Sequence, residues 1–263
     1  MPTQEVQINK CIYCGGVGQT DEHIMPFALA GKSILRKASC ETCRDITSRC
    51  EDNPLRQNWA VARAVLDYPS RKRDFDKEVF PLEVVLKDGT KTVLQLKRSE
   101  TVGFAPFMEY PLPAFFTPSS NYKSGVVLSG HTLVGFGPDI KILIEKYGIK
   151  EIKYKVTHKS NYFEIMVAKI AYCAAVAAWG LDALQEKFVL PAILGAKDDV
   201  GYWMGCDPEG KIIPMIGKLN AANSIKLGVW QRADDENKYI IARIKFFSPS
   251  DAPEYIVVVG TLK

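Results

Sequence analysis

The chain has 263 residues, 47% hydrophobic and 24% charged, with a formal charge of +4 from 34 basic and 30 acidic side chains. That is the composition of a globular protein of one large or two ordinary domains. It excludes wholesale disorder, a collagen-like repeat and a coiled-coil rod. The sum alone declares no nucleic-acid partner, but residues 32–73 hold ten basic against five acidic side chains.

Residues 1–50 carry five of the seven cysteines, Cys11, Cys14, Cys40, Cys43 and Cys50. An odd count, two Cys-x-x-Cys pairs and an N-terminus without an apolar leader argue against a disulfide framework. They imply a reduced, cytoplasmic protein. The longest apolar run, Ile170–Leu181, is too short to span a bilayer, so no membrane partner is expected. Residues 51–68 read as a helix, with Asn53 as N-cap and Pro54 at its first position. Pro69-Ser70-Arg71-Lys72-Arg73 reads as a break and a solvated linker.

From Val79 the period changes. Two apolar stretches, 80–86 and 92–96, flank Asp88-Gly89, which predicts a hairpin. Residues 101–130 read as loop with short strands. Ile140–Tyr147 reads as a short helix, and Ile149–Val156 as a strand. Tyr162–Leu184 is the firmest helix, apolar nearly all round after Lys169 and therefore buried. Strands follow at Ile225–Gln231, Tyr239–Phe247 and Tyr255–Leu262. The expected fold class is α+β, with a small N-terminal module over 1–75 and an α+β domain of mostly antiparallel strands over 76–263.

The chemistry concentrates in Cys11-Ile-Tyr-Cys14, Asp21-Glu22-His23-Ile24-Met25-Pro26 and Cys40-Glu-Thr-Cys43. Two such knuckles supply four thiolates for a tetrahedral structural Zn²⁺. In model fingers the ion contributes roughly 10–16 kcal/mol, enough to fold a core-poor segment. Cys50, Cys173 and Cys206 read as packing residues. His131 and His158 lack metal-ligand neighbours, Gly135–Asp139 reads as a turn, and Trp203 as core.

Glu-His-Ile-x-Pro between two Cys-x-x-Cys pairs resembles the HNH endonuclease superfamily over residues 11–50. The segment from Ala168 through Gly180-Leu-Asp-Ala is similar to the C-terminal half of uncharacterised bacterial HNH proteins. The resemblance implies a treble-clef-like ββα-metal module with a zinc flanking the hairpin. It implies a nuclease hydrolysing phosphodiester bonds in DNA. His23 would be the general base, and Glu22 would hold a catalytic Mg²⁺ or Mn²⁺. Adjacent strand residues point to opposite sides, so a bulge or strand end is needed to bring both to one phosphate. Tyr13, His23 and the basic excess would line the DNA path.

Two departures stand out. The family's Asn or His after the second Cys-x-x-Cys is Arg44 here, which cannot ligate a cation. The middle Asn, expected near Leu35, is absent. Asp45, Glu51 and Ser48 are the candidates to replace the lost ligand. Alternatively, Arg44 grips phosphate bidentately. Lys32, Arg36, Lys37, Arg49 and Arg56 are further candidate phosphate contacts. A second reading is a non-catalytic zinc-stabilised protein that binds nucleic acid or a partner. A third places the main function in residues 76–263 as a sensor. A homo-oligomer is left open.

Overall fold

A computed structural model describes residues 5–71, 73–117, 122–156, 161–216, 223–248 and 250–263. Lys72 and His158 lie outside the described residues. In the N-terminal segment, β1 (Glu5–Gln7) and β2 (Thr20–His23) flank β3 (Ile34–Ser39). β1 runs parallel to β3, and β2 antiparallel. The β2–β3 register slips between Thr20↔Ser39 and Glu22↔Leu35, and Lys37 takes a left-handed φ of 49° in the bulge. Gly18 lets the Cys11–Cys14 knuckle cross this bulge, because a Cβ there would lie 1.7 Å from the Lys37 carbonyl oxygen.

β3 runs into α1 (Glu41–Asn53), so the helix starts at Glu41 and Asn53 is its last residue rather than an N-cap. The cap is Cys40, whose Sγ accepts the Cys43 N–H at 3.4 Å. Pro54 lacks an amide proton, and the chain relaxes there into a π-helical turn before α2 (Ala60–Val65).

The expected hairpin is present as β4 (Val79–Leu86) and β5 (Lys91–Lys97). β6 (Gly103–Glu109) pairs with β7 (Gly130–Phe136). α3 (Ile140–Tyr147) matches the expected helix, and β8 (Ile149–Lys153) adds to β4. Then come α4 (Tyr162–Trp179), β9 (Leu184–Lys187), α5 (Leu190–Ile193), α6 (Val200–Trp203) and β10 (Met204–Cys206). β11 (Asn223–Gln231), β12 (Lys238–Phe246) and β13 (Glu254–Leu262) complete an antiparallel sheet of order β10-β13-β12-β11, with β9 also on β13. The described chain is α+β.

α4 is the organising element. Thirteen of its eighteen residues are buried, including Glu164 and Lys169. It packs on β12 and β13 on one side and on α1 on the other. By length and composition α4 could cross a membrane, but 72% of it is buried inside the protein. One hydrophobic cluster runs from Cys11, Leu35 and Trp59 through α4 to Val257, so the expected boundary at residue 75 separates segments that share a core. Trp59 is fully buried, donates its indole N–H to the Pro106 carbonyl at 2.9 Å, and meets Phe107, Phe163, Phe246 and Phe247. Each large side chain buried this way contributes about 1.5–3 kcal/mol. Cys50, Cys173 and Cys206 are buried, as expected of packing residues.

Candidate functional site

Four thiols meet where the knuckle touches the start of α1. The Sγ atoms of Cys11, Cys14, Cys40 and Cys43 all lie within 4.8 Å of one another. Cys14 and Cys40 are 3.7 Å apart. Four sulfurs at 2.3 Å from a common tetrahedral centre would be about 3.8 Å apart, so the cluster is compatible with structural zinc. Burial pushes the Cys11 thiol up, but N–H groups of Cys14, Cys40 and Tyr13 outweigh it and bring it down to about 7. The knuckle is clamped from α4, where the buried Tyr172 hydroxyl donates to the Ile12 carbonyl at 2.6 Å. Tyr13 lies within the core with its hydroxyl 3.6 Å from Cys173 Sγ. It is therefore not on a nucleic-acid path, because its phenol packs inward between the knuckle and α4.

β2 ends at His23, the strand end expected where Glu22 and His23 must face one site, and the register slip lies ahead of both, between Thr20 and Glu22. Glu22 and His23 both reach one cavity of about 570 Å³, bounded by β2, the following loop, α1, Pro69–Arg71, Arg73 and Phe75. His23 is half-buried, with its ring edge-on to Phe27 at 5.9 Å. Burial, then the charge of Arg71, hold its imidazole below the usual histidine value. Both favour the uncharged form of the ring.

The cavity wall is rich in guanidinium. Arg44, Arg56, Arg63, Arg71 and Arg73 line it. Arg44 also holds Asp45 at 2.9 Å, Arg56 holds Asp52 at 3.1 Å, and Arg73 pairs with Glu78. Arg63 is buried and structural. It donates to the carbonyls of Ala28, Leu55 and Pro69, tying three walls together. Arg71 lies over the Phe27 ring at 5.0 Å and makes no ion pair among the described residues. Of the other expected phosphate contacts, Lys32, Arg36, Lys37 and Arg49 lie off this wall. Arg36 is already held by Glu5 and Asp21 on the sheet.

No protein-family model matches the chain, nor does any curated protein or solved structure.

At the cavity floor is a group the sequence reading did not single out. Lys169, carried by α4, places its ammonium 2.7 Å from Glu22 and 2.8 Å from Glu51. Its side chain is 6% exposed and that of Glu22 is 8%. Burial alone would favour a neutral lysine, but Glu22 and then Glu51 outweigh it and hold the proton firmly. Burial also pushes the Glu22 carboxyl up, against the pull of Lys169. The signal was a lysine inside a helix that is otherwise apolar but for Glu164 near its start, which demands a buried partner.

This arrangement bears on the divalent cation that the resemblance implies. Glu22 is committed to Lys169, and Glu51 shares the same ammonium. Asp45 is bound by Arg44 and lies off the cavity wall; Ser48 lines it but is neutral. Among the described residues, only the four cysteines bring three or more metal-binding side chains together. The side chains beside His23 do not fit a bound divalent cation.

Proposed function

We propose that the chain is an HNH-like endonuclease that hydrolyses phosphodiester bonds in DNA. In this reading the β2–β3 hairpin and α1 are its ββα-metal module. Cys11, Cys14, Cys40 and Cys43 hold a structural zinc that fixes the hairpin against the helix. The observation that carries the reading is His23 opening onto an arginine-lined cavity, its imidazole held below the usual histidine value by burial and Arg71.

His23 takes a proton from water, and the water oxygen attacks phosphorus. Arg71, anchored on Phe27 and without an ion pair among the described residues, grips a non-bridging phosphate oxygen. Arg73, Arg56 and Arg44 exchange their carboxylate partners for the incoming backbone and supply salt-dependent affinity. Fixed donors aimed at the developing phosphorane charge act strongly in a half-buried cleft. Nicking of supercoiled plasmid by the purified protein is the test. A protein that binds DNA with a steep salt dependence and never nicks it would instead be the non-catalytic binder, the reading favoured by the commitment of Glu22 to Lys169.

A further inference from the structure

We infer that Lys169 takes the place of the divalent cation, so that this site cleaves phosphodiesters without one. The inference rests on the nuclease reading above and goes beyond it. Its basis is geometric. The Nζ of Lys169 sits between Glu22 and Glu51 at 2.7 and 2.8 Å, on the floor of the cavity that His23 enters. A cation placed between two carboxylates beside the general base is the arrangement expected of a metal. Here an ammonium fills it, delivered by α4 from the far half of the chain. Arg44, at the helix position where the resemblance expects a ligand, lines the same cavity and cannot coordinate an ion.

Lys169 offsets one of its two carboxylates, so the triad keeps one negative charge, and the phosphate charge is met by the arginines, chiefly Arg71, which makes no ion pair among the described residues. In the step itself, the water O–P bond forms as the P–O3′ bond breaks. The water proton goes to His23, and the 3′-oxygen leaves with the bonding pair and takes a proton from solvent. No electron transfer occurs and no co-reactant beyond water is needed. Lys169 stays protonated throughout, and Arg71 meets the extra charge of the phosphorane.

Removing the ammonium should create the missing metal site. In Lys169→Ala, two carboxylates face a vacated position of cation size, with a water-accessible side. The test uses full-length, zinc-loaded protein, with zinc content measured in every sample. Wild type is assayed for plasmid nicking in EDTA and in Mn²⁺, and Mn²⁺ binding is followed by electron paramagnetic resonance. Wild type is expected to nick equally in EDTA and to bind no Mn²⁺ in the cavity. In Lys169→Ala the uncompensated carboxylates of Glu22 and Glu51 repel the incoming phosphate, so the variant is expected to bind one Mn²⁺, to lose about 10²–10³-fold in EDTA, and to recover with Mn²⁺. Should Lys169→Ala lose its fold, Lys169→Ser, which also vacates the position between the carboxylates, is expected to show the same loss and recovery. Nicking by wild type only with Mg²⁺ or Mn²⁺ would overturn the inference and leave the nuclease reading standing. No nicking under any condition would remove the nuclease reading. A Lys169 variant that gains no Mn²⁺ site would overturn the inference on its own.

Discussion

Replacing Lys169 with Met removes the buried ammonium while keeping most of the side chain's length. Its Nζ is 2.7 Å from Glu22 and 2.8 Å from Glu51. At about 4 Å between charge centres and an effective dielectric near 20, each contact is worth about 4 kcal/mol before desolvation. Glu22 has almost no water to return to, so Lys169→Met leaves a buried carboxylate uncompensated. Truncating one partner of such a pair costs about 3–5 kcal/mol. Urea unfolding at pH 7 should show a loss of that size with an unchanged slope. The loss should depend on pH. Burial already raises the Glu22 carboxyl, and it rises further without Lys169. A raised folded pKa gives stability that is present below the unfolded carboxylate value and lost as pH rises through the folded one. The variant's deficit should therefore grow as pH rises and shrink toward pH 4. Adding Glu22→Gln should recover much of it. A loss below about 1 kcal/mol, flat with pH, is what an exposed pair would give and would refute the buried pairing.

Other outcomes follow from the same geometry. Elemental analysis should find one zinc per chain, and Cys11→Ser should lose it together with near-ultraviolet circular dichroism, since zinc supplies about 10 kcal/mol or more in such modules. The pH dependence of cleavage should rise through a midpoint below the ordinary histidine value, because burial and Arg71 lower His23; a midpoint above that value would contradict the assignment. Arg71→Gln should weaken DNA binding and reduce its salt slope by about one, whereas Lys32→Gln, off the cavity wall, should do so far less. Arg63→Met should destabilise by roughly 3 kcal/mol in denaturant titration, because three carbonyls lose a charged donor at once.

Legibility followed the range of the interactions. The hairpin at Asp88-Gly89, the α3 helix and the last three strands were legible because turn chemistry and local periodicity decide them. The start of α1 was missed. Its capping group is a cysteine that also serves the knuckle, so no Ser, Thr or Asp marks it, and Asn53-Pro54 imitates a start where the helix ends. β7 was missed because Gly130 and Gly135 disguise its alternation. The four cysteines were legible from spacing alone, and so was the need for a bulge or strand end to bring Glu22 and His23 to one site. The Lys169 partnership was not, because the contact joins α4 to β2 and α1 across the fold, and no local pattern specifies a long-range ion pair. For the same reason Arg71 read as solvated linker, although the fold lays it over Phe27. Tyr13 read as a surface residue because its burial is imposed by α4, not by its neighbours in sequence.

The central assignment is His23 as the base of a phosphodiester-cleaving centre. Single-turnover cleavage of a labelled DNA duplex by wild type and by His23→Ala, with zinc content matched, tests it directly. Cleavage by wild type and a loss of about 10²-fold or more in the variant is the expected result. Equal rates in the two proteins, or none in either, would contradict it.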